Sequence, residues 1–270
     1  MRPKVYALFA LLLASSITLA ASEKPIVVVI PSYKNASWYQ HNLDSVFSQS
    51  YSNYRVIYID DASPDGTGAL VKAYVQEKHQ EGRFTLIQNP SRVGALANLY
   101  KAIWMCAPDE IVANLDGDDW FYDDNVLAKL GSVYADPNVW MTYGQFFYYP
   151  EGIVGFAQAV PPEVIENNSF REHSRGTTAL RTFYAGLFHK INTDDLLYQG
   201  KFFPSAWDLA MMWPILEMAG THSRFIPEVL YVYNIDNPIN DFKTDLPLQQ
   251  NLDRVTRQMP RYCPIEKPYD

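Results

Sequence analysis

Hydrophobic positions along this chain fall into short continuous runs that alternate with longer, periodic ones. The first run is IVVVI at 26–30, β-branched and without alternation, as in a strand buried on both faces. Pro31, Ser32 and Tyr33 close it. A helix is expected over about 36–49, with Leu43, Val46 and Phe47 on one face. A second strand at 55–59 runs into DDASPDGT at 60–67, dense in turn residues, where Asp65 or Thr67 could cap the next helix. A third strand follows at 84–88. Leu96, Leu99, Tyr100, Ile103 and Trp104 then make one apolar stripe at helical spacing. A fourth run, Ile111-Val112-Ala113, stops in the carboxylates Asp116, Asp118 and Asp119. A helix at 125–134 and a strand at 140–145 complete this half.

Strands alternating with helices predict βαβ units and a mostly parallel sheet. Ligands of such sheets sit outside the carboxyl ends of the strands. The polar clusters at 31–33, 60–67 and 116–120 all follow strands, so they should meet at one edge. The second half is less regular. Residues 154–174 read as a long cover or active-site loop, 178–189 as a helix, 230–233 as a short strand, 238–247 as polar loop, and the tail from Leu248 as helix at most. Asp208 opens a helix with Leu209, Met212, Trp213 and Leu216 on its apolar stripe. One domain is expected over 22–270, with 22–145 binding one ligand and 146–270 completing the site.

Composition narrows the classes. Hydrophobic residues at 48% and charged residues at 19% give a globular core and exclude a disordered chain. A net charge of -8, without a basic stripe, argues against nucleic acid as a partner. Cys106 and Cys263 are too few for a disulfide framework, and whether they pair stays open. The N-terminus differs from the rest. Arg2 and Lys4 precede a nearly continuous apolar stretch at 5–19, and small residues follow at 18–21. This reads as a signal peptide over 1–21, with an exported mature chain beginning near Ser22. An uncleaved membrane anchor and a core helix are the alternatives. No later stretch is long enough for a membrane channel of the chain's own.

The carboxylate cluster carries the candidate chemistry. Closely spaced carboxylates repel one another, and a divalent cation such as Mn²⁺ or Mg²⁺ relieves that. A solvated turn after a strand is the competing reading.

Four motifs, in order, resemble glycosyltransferase family 2: VVVIPSYKN at 27–35, YIDDASPDGT at 58–67, NPSRVGALAN at 89–98 and NLDGDDW at 114–120. Residues 202–220 resemble that family's catalytic-base region less specifically. The resemblance implies a GT-A fold with a Rossmann-like sheet and a nucleotide-sugar co-substrate. By that resemblance Pro31 and Tyr33 line the nucleotide pocket and Asp61 accepts a hydrogen bond from the base, a uracil. Arg92 reaches the diphosphate or stays on the surface, and Asn98 orients the diphosphate or sits on the exposed face of its helix. Asp116 holds the ribose and helps place the metal, Asp118 is its main ligand, Asp119 supports or binds it, and Trp120 sits by the acceptor. Asp208 is the candidate base, although an N-cap role competes for it, and Trp207 stands where many family members have Glu. Glu217 reads as solvated or paired. The implied activity is inverting, metal-dependent transfer of a sugar from a UDP-sugar to a saccharide, lipid or protein hydroxyl. A non-catalytic nucleotide- or glycan-binding module on the same fold is the alternative. A nucleotidyltransferase would want a Gly- and basic-rich phosphate loop, and 31–37 offers only Lys34.

Overall fold

The computed structural model describes residues 23–173 and 177–270; the expected signal peptide lies outside the described residues. The elements run β1 (Ile26–Ser32), α1 (Tyr39–Phe47), β2 (Tyr54–Asp60), α2 (Thr67–Glu77), β3 (Phe84–Gln88), α3 (Ala95–Ile103), β4 (Ile111–Asn114), β5 (Trp120–Phe121), α4 (Val126–Val133), β6 (Met141–Tyr149), β7 (Ile153–Val154) and α5 (Pro162–Glu166). There follow β8 (Arg181–Tyr184), α6 (Ala185–His189), the hairpin β9 (Leu197–Tyr198) and β10 (Lys201–Phe202), α7 (Trp207–Ala219), β11 (Ser223–Asn234), α8 (Asp241–Thr244) and α9 (Leu246–Gln258).

One nine-stranded sheet runs through both halves, in the order β3-β2-β1-β4-β8-β6-β11-β5, with β7 paired to β6. The expected boundary at 145 falls inside β6. β1 to β4 form a parallel block. Val27 to Ile30 have no exposed surface at all, and burial of each side chain contributes about 1.5–3 kcal/mol. That explains the uninterrupted apolar run.

Beyond β4 the sheet is mixed, and here the sequence reading needs correction. The segment expected to be helical over 178–189 forms a strand, β8, antiparallel to both β4 and β6, before the short α6. Thr182 explains the choice. Its hydroxyl is buried between Tyr134 Oη, at the end of α4, at 2.9 Å and Thr142 Oγ1, on the neighbouring β6, at 2.6 Å. β11 spans 12 residues rather than four, with register shifts around residues 226–231. The cover at 154–174 contains α5 and a 3₁₀ turn at Phe170–Glu172.

The half that follows residue 145 has its own buried electrostatics. Glu217 is fully buried in α7 and pairs bidentately with Arg171, at 2.6 and 2.8 Å. Arg171 also donates to the carbonyls of Thr256 and Met259. This fixes the cover, α7 and α9 together, and settles Glu217 as paired. Cys106 is buried and Cys263 exposed, and both are free thiols.

Candidate active site

The carboxyl ends of β1, β2 and β4 meet as expected, and backbone bonds hold them together. Asp61 N–H donates to Ser32 O at 2.9 Å and Gly117 N–H to Pro31 O at 3.1 Å. Gly117 allows this approach, since a Cβ there would lie 2.6 Å from Asn35 Nδ2 and 2.7 Å from Ser32 Cβ. Asn42 of α1, fully buried, donates to the carbonyls of Asp116 and Asp119 at 3.0 and 2.7 Å. Nothing in the local sequence of α1 marked this residue.

Asp61 is buried at the mouth of α3. Its carboxylate accepts from Asn89 Nδ2 at 2.8 Å, Val93 N–H at 3.0 Å and Gly94 N–H at 2.8 Å. Burial alone would raise its pKa, but these donors together outweigh burial and hold it below the usual carboxylate value. Asp61 thus clamps the 89–94 loop whatever else it binds. Arg92, projecting from that loop, stacks over Tyr33, its guanidinium carbon 4.0 Å from the ring centroid. Asn98 is buried rather than on an exposed helix face, and its Oδ1 accepts from Asn89 Nδ2 at 2.7 Å.

The three aspartates separate by environment. Asp119 is turned inward, 1% exposed. One of its oxygens accepts from Tyr231 Oη at 2.5 Å and the other from Asn234 N–H at 2.7 Å. Burial, then the charges of Asp118 and Asp116, push its pKa well up. Asp116 and Asp118 are half-buried at the cavity. Burial first, then the Asp118 charge, raises Asp116 to about 7, while Arg181 pulls it back. Asp118 Oδ2 accepts from Asn237 Nδ2 at 2.6 Å.

An oxygen-only pair under mutual repulsion fits a hard divalent cation. Among the described residues no three His, Cys, Asp or Glu side chains are grouped to hold one. A cation here would therefore draw its remaining ligands from phosphate oxygens and water, as Mg²⁺ commonly does.

Asp208 reaches the same cavity from α7. It does not cap the helix. Ala206, in the left-handed conformation with φ 48°, occupies the cap position, and no side chain caps there. The Asp208 carboxylate instead accepts from Arg181 Nη2 at 2.6 Å. Arg181 lies opposite Asn114 in the β4–β8 register, which brings it beside the aspartate loop. The sequence reading missed it by taking β8 for a helix; the available signal was the β-prone triplet Thr182-Phe183-Tyr184 directly after it. An aromatic wall completes this side. Phe146 makes edge contacts with Tyr148, Phe156 and Tyr233, with centroids 4.9, 5.6 and 6.1 Å apart. Trp120, expected by the acceptor, is not among the residues that line this cavity. It is 7% exposed and packs against His41 and Tyr149.

Pro31, Tyr33, Asp61, Arg92, Asn98, Asp116, Asp118, Asp119 and Asp208 all line this one cavity of about 460 Å³. Against this geometry the comparisons with known proteins are direct. The family model described as glycosyl transferase family 2 matches residues 27–196, and the chain belongs to that family. Among individual relatives, EpsE of Bacillus subtilis, described as a glycosyltransferase, is 34% identical over 94 residues, which are 35% of this chain and 33% of EpsE. The chain thus matches only about a third of that relative's length. Among solved structures, Staphylococcus aureus TarS 1–349 in complex with UDP superposes with a TM-score of 0.60 at 16% identity, over 87% of this chain and 67% of that one. The mannosyltransferase PcManGT of Pyrobaculum calidifontis, in complex with GDP-Man and Mn²⁺, gives 0.57 at 22% identity, over 79% and 57%. At these identities the structural matches establish the shared fold.

Proposed function

We propose that this protein transfers a sugar from a nucleoside-diphosphate donor, a UDP-sugar, to an acceptor hydroxyl, with a divalent cation and with inversion at the anomeric carbon. The observation that carries the reading is the convergence in one cavity of a nucleotide-sized edge and a carboxylate from a separate element. The edge is made by Tyr33, Asp61 and the Asp116–Asp118 pair, and the separate carboxylate is Asp208. Tyr33, stiffened by Arg92, offers a face to the base, and Asp61 offers an acceptor to its N–H. Asp116 and Asp118 would hold the cation, while Asp119 props their loop through Tyr231 and Asn234. A bound cation would act as a Lewis acid, neutralising charge on the diphosphate as it leaves.

Asp208 removes the acceptor's proton, a role that commonly contributes roughly 10²–10⁴-fold. Arg181 holds that carboxylate in place at the cavity wall. The aromatic wall of Phe146, Tyr148 and Tyr233 gives the acceptor an apolar surface to lie against. The UDP bound to TarS and the GDP-Man and Mn²⁺ bound to PcManGT support a nucleotide and cation here. They also leave two bases to compare. Export by the 1–21 segment is part of the reading, and N-terminal sequencing of the mature chain tests it, with Ser22 the expected first residue.

A thermal-shift screen of UDP, GDP, ADP and CDP, each with and without Mn²⁺, tests the donor site. The expected result is a cation-dependent shift largest with UDP. A shift with GDP alone overturns the uracil reading, and no shift with any nucleotide overturns the donor site.

A further inference from the structure

Asparagine recurs at every third position in residues 234–240, as Asn234, Asn237 and Asn240. The stretch has the composition of an exposed loop, yet the three side chains are 0%, 4% and 9% exposed. Buried amides are costly unless paired, and most of these pairs run to the aspartate loop or within the ladder itself. Asn234 donates its backbone N–H to Asp119 Oδ1 and its side-chain amide to the Asp118 carbonyl, at 2.7 and 3.1 Å. Asn237 Nδ2 donates to Asp118 Oδ2 at 2.6 Å, while its Oδ1 accepts the Ile239 N–H at 3.2 Å. The amide is thereby fixed at both ends. Asn240 Nδ2 donates to the Asn234 carbonyl at 2.9 Å. The Lys243 ammonium donates to the carbonyls of Ile235 and Asn237. Ile239 and Asn240 in turn wall the cavity that holds Asp116 and Asp118.

We infer that Asn237 is a positioning residue for the cation site: its amide fixes the Asp118 carboxylate and couples cation binding to the ordering of residues 235–243 over the pocket. This rests on the donor-site reading above. Groups that hydrogen-bond a ligating side chain set its orientation, and their loss typically costs 10–100-fold in metal affinity. Turning the Asn237 amide to present its oxygen to a cation would break both of its bonds, so it acts on the carboxylate rather than as a ligand. Coupling is reciprocal. A cation that immobilises Asp118 also immobilises the ladder, and an ordered ladder presents Asp118 already aligned. The ladder also connects the cation loop to the wall at Ile239, so donor occupancy is transmitted to the rim of the pocket.

Hydrogen–deuterium exchange on the whole chain, with Mn²⁺ and UDP added singly and together, tests this alongside calorimetric titration of the same probes. In the wild type, Mn²⁺ with UDP should slow amide exchange across 235–243. Asn237→Ala should leave exchange in β1, β2 and β4 unchanged, weaken Mn²⁺ binding in the presence of UDP about tenfold or more, and abolish the slowing. Wild-type binding without slowing at 235–243 overturns the coupling alone, and needs no variant to be read. Asn237→Ala binding Mn²⁺ as tightly as the wild type overturns the positioning role of Asn237. No binding of either probe by the wild type overturns the donor-site reading together with this one.

Discussion

The two sides of the cavity are held by different means. On the donor side, backbone groups share the work with neutral side-chain amides, Asn89 on Asp61, Asn42 on the aspartate loop and Asn237 on Asp118. Asp61 is held by the Val93 and Gly94 N–H groups and Gly117 by the Pro31 carbonyl, while Asp119 is reached from β11 by the Asn234 N–H and the Tyr231 hydroxyl. On the acceptor side, in the mixed part of the sheet, the working groups are held by side chains. Arg181 holds Asp208, and Arg171 holds Glu217 beneath it on the same helix. Backbone donors come with the fold and tolerate changes of side chain. Ion pairs between distant elements can be retuned by one substitution.

The largest expected effect is on the donor side. Asp118→Asn should remove cation-dependent UDP binding and lower kcat/KM at least roughly 10²-fold, measured by titration with Mn²⁺ and by steady-state kinetics. If cation dependence persists in this variant, Asp116 alone holds the cation and the division of roles between the aspartates is wrong.

Next is the buried pair. Arg171→Met leaves Glu217 in the core with the Tyr262 N–H but without its counter-charge, which should cost about 3–5 kcal/mol of stability, read from chemical denaturation. Nucleotide affinity of the folded fraction should be unchanged, since neither residue lines the cavity. An equal loss of UDP affinity would show that the two sides are not separable.

Arg181→Ala sharpens the comparison at the site itself. With Asp208 released from its partner, kcat should fall up to roughly 10²-fold from misplacement, while donor binding persists. A loss confined to donor binding would move Arg181 to the donor side.

The smallest effect concerns Asp61, whose pKa is depressed in the folded state. Its stabilisation is fully present above the unfolded value of about 3.9 and is lost as pH falls through the lower folded value. Asp61→Asn should therefore cost about 1–3 kcal/mol near neutrality and flatten the fall in stability below about pH 4, measured by urea denaturation across pH.

The same contrast governs what could be read from the sequence. The parallel block was legible because each strand is an apolar run punctuated by its own polar loop, and sheet topology then brings those loops together. β8 was not, because a four-residue strand takes its identity from β4 and β6 and from hydroxyl partners 40 and 48 residues away. Asp118 and Asp119 are adjacent and alike in sequence; Tyr231, 112 residues on, turns Asp119 inward. The asparagine ladder was not read, and only Asn240 fell in the loop expected at 238–247; the partners of Asn234 and Asn237 lie 116 and 119 residues away on Asp118. Asp208 was singled out, but its partner Arg181 was not, and the cap position that competed for it falls to Ala206.

The central claim is that donor binding and proton removal reside on different walls, with Asp208 responsible for the second. Its most direct test compares wild type and Asp208→Asn with a UDP-sugar, Mn²⁺ and a panel of saccharide acceptors, following UDP release and donor affinity together. The account predicts undiminished donor affinity and a kcat lower by roughly 10²–10⁴-fold. Equal turnover by the two proteins, or loss of donor binding in the variant, would contradict it.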